Sequence, residues 1–427
     1  MTYVITVCSV IGTILLILRA YQVIYYLGIF KNTHYKPTEN RHKFGICIAG
    51  RNEERVIRNL LDSIDRQDYP KDKLVIFVVA DNCTDNTAQI VRDFASESET
   101  ETHCVEHINP DERTKGFALR YLFNEIISNY GIDYCEGYFI FDADNVWNSD
   151  YVQRMNEAFD EGHKIITSFR NTKNTAQNWI SFSYAMHWLR TCLFEHRGKN
   201  LVGLSCRIQG TGFLFANEVV KDGWIYTSLT EDRAFCSDAV VNGYRVVYCE
   251  DAKFYDEQPY SLKVSLRQRL RWAKGNWLAS LEYVPKLIPK LFKSKKRVFM
   301  TYDCFWLNFP NQLESIGRRL IILICNIIIG IASVNVWGLV SGLLVTFGIT
   351  LLEMWGGLML QILFTFIFYH KQLPKINVFK LFYFLICFPI FDVIGAITIC
   401  IAVFKKVEWK PIPHNYTVDV DKIGQRK

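Results

Sequence analysis

LVIFVVADNCTDNTAQIVRDFA, residues 74–95, is the stretch whose reading decides the fold. Seven apolar residues in a row end in an acid, Asp81. A run this short and apolar at every position predicts a strand covered on both faces. Turn-forming residues 82–86 follow, and then Thr87–Ala95 carries Ala88, Val91 and Phe94 on one helical face. The same order stands upstream, where FGICIAG (44–50) precedes ERVIRNLLDSI (54–64). Strand, helix, strand, helix predicts a parallel sheet with right-handed crossovers. GYFIFDAD (137–144) adds a third apolar strand ending in acid. Thr230 is placed to cap a helix ending at Gly243, and YRVVYCE (244–250) returns as a strand. Polar residues 97–101 read as a surface loop, and no internal repeat is present.

The chain has 427 residues, half of them hydrophobic and 15% aromatic. The apolar excess is concentrated. Residues 4–30 contain one charge, Arg19; residues 320–369 contain one, Glu353; residues 381–404 contain one, Asp392. About 20 apolar residues cross roughly 30 Å of hydrocarbon, so these stretches predict membrane spans. The first lacks a basic leader and a small-residue cleavage site, and reads as a retained anchor. Lys31, His34, Lys36, Arg41 and Lys43 follow it and place the next domain in the cytoplasm. The expected layout is an anchor at 1–30, a cytoplasmic α/β domain at 31–260 and interfacial amphipathic helices at 261–319. Three or four spans at 320–404 and a tail at 405–427 complete it. Their number depends on whether the chain breaks near 353–357, which would spare Glu353 from the bilayer.

The net charge of +6 suits a membrane protein with basic cytoplasmic loops, and no basic–aromatic run resembles a nucleic-acid module. Thirteen cysteines without C-x-x-C spacing read as buried free thiols.

Ligands of open parallel sheets bind beyond the carboxyl ends of the strands. That rule gathers Asp81, Asp142 and Asp144, with Asp251 as a further candidate. Asp142 and Asp144 stand at i, i+2, and convergent carboxylates repel unless a cation lies between them. Hard oxygen ligands suit Mg²⁺ or Mn²⁺ bridging a diphosphate. D-x-D alone is common as solvated charge; after a buried strand it gains weight. Asp81 could accept a hydrogen bond from a nucleobase or help hold the metal, while Asp85 or Thr84 reads as a plain helix cap. Arg51, Asn52 and Glu53 follow the first strand, where a nucleotide would lie. Lys115 before Gly116 suits a phosphate as well as it suits plain surface charge. Glu231 and Asp232 open the helix after Thr230, where acid complements the dipole and a carboxylate can also serve as general base.

SLRQRLRWAKGNW (265–277) precedes the apolar C-terminal half. Its basic stripe could rest on lipid headgroups. Combined with the acids, it reads otherwise: Arg269 and Arg271 face a diphosphate and Trp272 stacks on a sugar.

This ordered set resembles the membrane-embedded family-two glycosyltransferases of the hyaluronan, chitin, cellulose and poly-N-acetylglucosamine synthase type. It comprises Asp81 in VVADNCTD, Asp142-Ala-Asp144, Gln209-Gly-Thr-Gly212, Thr230-Glu-Asp232 and Gln268-Arg-Leu-Arg-Trp272. The resemblance implies a GT-A domain, with Asn52, Glu53 and Asp81 at a UDP-sugar, to which the reading above adds Lys115. It implies Asp142 and Asp144 on the metal and diphosphate, and Asp232 as base. Gly210, Thr211, Gly212, Glu231, Gln268 and Trp272 would lie near a carbohydrate acceptor. The implied activity is inverting transfer to a growing β-linked polysaccharide, coupled to export across the bilayer.

Asp81-Asn-Cys departs from the Asp-Asp-Gly of many relatives, one N-terminal span stands where hyaluronan and cellulose synthases have more, and no regulatory domain is expected after the last span. Two other readings compete: a single transfer onto a membrane lipid, and an inactive scaffold, which the intact acids and Trp272 oppose. Donor sugar, linkage and any oligomer or accessory subunit have no distinguishing signature in the sequence.

Overall fold

The computed structural model describes residues 1–293, 297–332, 336–412 and 414–418. Helix α1 (Thr2–Arg19) continues as a 3₁₀ segment to Phe30. The α/β domain then runs β1 (Phe44–Gly50), α2 (Ile57–Asp65), β2 (Leu74–Asp81), α3 (Thr87–Glu97), β3 (Glu101–His107) and α4 (Lys115–Asn129). It continues with β4 (Gly137–Asp142), β5 (Val146–Trp147), α5 (Tyr151–Asp160) and β6 (Ile165–Thr172). Next come α6 (Trp179–Arg190), a π-helical turn, α7 (Arg197–Leu201), β7 (Phe213–Ala216), α8 (Glu231–Val241) and β8 (Val246–Asp256).

The eight strands form one mixed sheet in the order β3-β2-β1-β4-β7-β6-β8-β5. β1 pairs parallel with β2 and β4, so Gly50, Asp81 and Asp142 end on the same edge. The two-sided burial predicted for Leu74–Asp81 is real. Val75, Phe77 and Val79 pack with Leu119, Phe123 and Phe182 on one face. Leu74, Ile76 and Val78 pack with Ile57, Leu60 and Phe94 on the other. Period-two alternation thus feeds two cores.

Three local expectations are corrected. Glu97 ends α3 and Glu101 begins β3, an edge strand parallel to β2, so the polar stretch is a short link between elements. Its half-buried, polar residues hid the strand. β8 extends past Glu250 to Asp256, so Asp251 lies within the strand, paired with His34 at 2.8 Å. The acid at that strand's end is Asp256. Thr230 stands at the start of α8, but its hydroxyl makes no capping bond. Asp85, by contrast, accepts from the Thr87 N–H at 3.1 Å, as a capping acid does.

Beyond the domain lie α9 (Leu262–Lys293), α10 (Val298–Asn308), α11 (Asn311–Ala332), α12 (Val336–Leu351), α13 (Gly357–Tyr369) and α14 (Val378–Phe404). Among the described residues three helices are long and apolar enough to cross a membrane: Thr2–Phe30, Asn311–Ala332 and Val378–Phe404. At 353–357, where a break was expected, the helix runs on from α12 into α13 through a π-helical turn, Leu352–Gly356. Helix α14 is tied to the domain near one end and to α9 near the other. Lys380 donates to the Ala176 carbonyl at 2.8 Å, and Lys274 donates to the Val403 carbonyl at 3.4 Å.

Candidate active site

One cavity of about 910 Å³ begins at the carboxyl edge of the sheet and continues between α9, α11, α12 and α14. Glu53, Asp81, Lys115, Asp142, Asp144, Gly210, Glu231, Asp232, Gln268, Arg269, Arg271 and Trp272 all line it. Residues separated by up to 219 positions therefore share one space, as the motif order implied.

Three expected residues do not line it. Asn52 takes a left-handed backbone, φ 58°, and its side-chain oxygen accepts from the Thr84 N–H at 2.8 Å, clasping two loops together. Thr211 is buried; it accepts from the Asp142 N–H at 3.0 Å and donates to Asn145 Oδ1 at 2.5 Å. Gly212 has φ 69°, and a Cβ there would strike the Phe254 ring at 2.1 Å. Both hold the Asp142 strand end in place from behind.

The acids at the sheet edge are heavily engaged. Asp81 pairs with Arg51 and accepts from His107 Nδ1 at 2.9 Å, so its carboxylate is already committed to protein partners. Lys115 pairs with Asp142 and donates to the Gly210 carbonyl at 2.9 Å. Asp144 accepts from the Glu257 N–H at 2.7 Å and from Asn145 at 3.0 Å. Burial would raise the Asp144 carboxyl, but His414, Lys173 and Arg170 outweigh it and hold it below the usual range. Asp256 is ion-paired with Arg170, whose guanidinium lies 3.8 Å from the Trp188 ring centroid.

At the far side of this edge stand Glu231 and Asp232. Burial, and for Glu231 the adjacent Asp232 charge, raise both carboxyls, while Lys115 and Arg271 pull them down. A carboxylate raised in this way is a stronger base than one in water. Helix α9 closes on it through Gly275, where a Cβ would lie 2.4 Å from the Thr230 side chain. No larger residue lets the Gln268–Trp272 turn come so near the base.

On that helix Trp272 meets Tyr184 and Trp188 edge to face at 6.0 and 5.7 Å. Arg269 lines the cavity and also stacks on Phe391 of α14, 3.9 Å from the ring centroid, donating to the Phe391 carbonyl. The neighbours Arg267 and Lys274 likewise donate to the Pro411 and Val403 carbonyls, at 3.1 and 3.4 Å. Three of the four basic residues in 265–277 thus donate to carbonyls of the chain's own C-terminal part.

That part was not foreseen. After α14 the chain returns across the sheet edge and covers the acids. His414 Nδ1 lies 3.0 Å from Glu53, and Glu257 accepts from the N–H groups of Asn415 and Tyr416, both at 2.9 Å. Trp409 lies under the Arg51 guanidinium at 4.6 Å. Asp256, Glu257 and Gln258 were also missed, although YDEQ repeats the strand-then-acid signal of FIFDAD. Reading the strand as ending at Glu250 concealed it.

Several buried polar atoms on the cavity wall have no protein partner among the described residues: Gln268 Oε1, Gln209 Nε2, Thr230 Oγ1 and Asp256 Oδ1. Such atoms on a cavity wall suit a polar, hydroxyl-rich ligand. The donor set also fits a hard divalent cation. Glu53 feels the charges of Asp144 and Asp142, Asp256 feels Asp144, and all are oxygen donors. Among the described residues no three His, Cys, Asp or Glu side chains already converge as a ligand cluster.

Comparison with known proteins assigns the class. Residues 42–275 match the family model "Glycosyltransferase like family 2", and the chain belongs to that family. It is 26% identical over 286 residues to the probable glycosyltransferase YdaM of Bacillus subtilis, covering 64% of each chain. It is 27% identical over 266 residues to the poly-beta-1,6-N-acetyl-D-glucosamine synthase of Staphylococcus epidermidis, covering 59% of this chain and 60% of that one. The match therefore spans a little under two thirds of these relatives. Among solved structures, the mannosyltransferase PcManGT from Pyrobaculum calidifontis, in complex with GDP-Man and Mn²⁺, aligns over 93% of this chain and 98% of its own. Its TM-score is 0.59 at 16% identity, a likeness of fold, which is GT-A.

Proposed function

We propose that this glycosyltransferase takes a sugar from a UDP-sugar and adds it, with inversion, to a β-linked glycan at the cytoplasmic face of the cell membrane. The shared cavity carries the reading: Asp142, Asp144, Asp232, Arg271 and Trp272 all border it. Asp232 removes the proton from an acceptor hydroxyl, and that oxygen attacks the anomeric carbon. The bond to the diphosphate breaks, and its electrons go to UDP. Arg271 and Lys115 stabilise the charge that develops there. Trp272 and Gln268 orient the acceptor sugar. A Mg²⁺ or Mn²⁺ ion at Asp142 and Asp144 would neutralise the diphosphate when bound. The cavity continues between the membrane helices, which supports a path for the growing product.

Incubation of the purified protein with a panel of labelled UDP-sugars and Mg²⁺ or Mn²⁺ tests the proposal. Metal-dependent UDP release together with a polymer or oligomer is the expected result. A single lipid-linked sugar as the sole product overturns the glycan part. Absence of UDP release with every donor overturns the whole.

A further inference from the structure

Asp392 is the one charge in residues 381–404, and the transfer chemistry leaves it without a part. An ionisable side chain in an apolar span is costly and is kept where it has a partner and a task. Helix α14 has two unlike faces there. Ile390, Val393 and Ile397 are exposed on the outside, while Phe391, Asp392, Gly395 and Thr398 line the cavity.

Helix α9 meets its surroundings with two neighbouring faces. Gln268, Arg271 and Gly275, at i, i+3 and i+7, look toward the sheet edge. Gly275 closes on Thr230, and the Arg271 charge acts on Glu231 and Asp232. Ser265, Arg269 and Trp272, at i, i+4 and i+7, look toward α6 and α14 instead. Ser265 Oγ lies 3.0 Å from the Tyr184 hydroxyl, and Trp272 meets the Tyr184 ring at 6.0 Å. That ring in turn meets Phe391 edge to face at 4.8 Å. Arg269 closes the group, since it stacks on the same Phe391 ring and donates to the Phe391 carbonyl. Side chains two residues apart leave a helix about 160° apart, so Arg269 and Arg271 serve different neighbours although both reach the cavity.

The surface of α14 is cut to receive this guanidinium. Gly395 stands one turn beyond Phe391, and a Cβ there would overlap Arg269 Nη2. Burial pulls Arg269 below the ordinary guanidinium value, and the charges of Tyr184 and Asp392 work against it. Arg190 of α6 is depressed by burial in the same way, with Asp392 again opposing. Arg190 also donates to Gln361 of α13 at 3.0 Å. The span's acid thus offsets the desolvation of one arginine on each of two helices packed against α14. Lysine is no substitute at the notch, because a point charge cannot both lie flat on a ring and fork to its carbonyl.

We infer that Arg269 is a positioning residue for the transfer: lodged in the Phe391–Gly395 notch of α14, it fixes the turn of α9 that presents Arg271 and Trp272 to the cavity. This inference rests on the glycosyltransferase reading and gives Arg269, Phe391 and Gly395 their parts in it.

The test compares the full chain in phosphatidylcholine nanodiscs with R269A, R269K, G395A and the R269A/G395A double variant. Three quantities are read: UDP affinity with Mn²⁺, the rate of UDP release from the UDP-sugar that the unaltered chain turns over fastest, and thermal unfolding. R269A, R269K and G395A should each lower kcat by about 10- to 100-fold. UDP affinity should stay within about twofold. The double variant should be no slower than R269A, because the added methyl has nothing left to strike. Unfolding should show the same coupling, with G395A lowering Tm in the unaltered background and leaving it unchanged in the R269A background. A loss of UDP affinity of about tenfold in R269A with none in G395A makes Arg269 a diphosphate ligand and overturns the inference. Full activity in R269K or G395A overturns it too, as do losses that add in the double variant. Should the unaltered chain release no UDP from any donor, the transferase reading falls and the positioning role with it. The unfolding comparison then still decides whether the notch holds Arg269.

Discussion

His414 Nδ1 lies 3.0 Å from Glu53 Oε1, joining residues 361 positions apart. Burial disfavours the imidazolium, yet Asp144, Glu53 and Glu257 overcome it and push its pKa up to about 10. The tail thus brings a positive charge to the acids proposed to hold a metal. H414A should therefore ease metal entry. One unit charge removed at about 4 Å is worth about 1 kcal/mol even in a water-like dielectric. The Mn²⁺ concentration for half-maximal UDP release should fall by about fivefold. A rise would instead make His414 a helper of the metal and reverse this account.

The sheet and most of the site were legible because their signals are local. Leu74–Asp81 declares a two-sided strand by its own residues, and FIFDAD and TED carry their acids on strand and helix ends. What escaped was set by long-range contacts. Asp256 lay beyond a strand boundary that DAKFY blurs with its charged residues. His414 and Trp409 sit in a polar tail whose place depends on Glu53, Glu257 and Arg51 far away in sequence. The contact of Arg269 with Phe391 is likewise one that no spacing rule reveals.

Asp232 should behave as a base whose pKa lies above the ordinary 3.8, since burial raises it. Transfer should rise with pH through that raised value. Arg271 pulls Asp232 down, so R271Q should move the inflection upward. The stability sign runs the other way. A carboxyl raised on folding contributes stability in acid, and loses it as pH climbs through the folded pKa. D232N should cut transfer by about 10²- to 10⁴-fold with UDP binding retained. Loss of UDP binding as well would assign Asp232 to the donor and remove it as base.

Gly275 sets the gap between α9 and the base. A Cβ would stand 2.4 Å from Thr230 Cγ2, and Thr230 immediately precedes Glu231 and Asp232. G275A should cost about 1–3 kcal/mol through overpacking. It should lower kcat by about 10- to 100-fold as Trp272 and Asp232 are forced apart. T230A in the same chain should restore part of the loss, because it removes Cγ2 and Oγ1, the two atoms nearest the new methyl, and leaves only Cβ at 2.9 Å. Full activity in G275A alone would show that the approach has slack.

The Arg170–Asp256 pair separates structural from catalytic charge at the sheet edge. Both side chains are buried, and Arg170 also donates to the Gln209 carbonyl at 2.6 Å, just before Gly210. D256A strands a guanidinium against the Trp188 ring without its anion, at a cost of about 3–5 kcal/mol. R170M with D256L replaces the pair by apolar groups and should recover most of that stability. The Gln209 carbonyl then loses its donor and the Gly210 turn loosens. Thermal unfolding should therefore return near the unaltered value while transfer stays depressed. Were activity to return together with stability, the pair's part in the site would be packing alone, and the Gly210 turn would be held by Lys115.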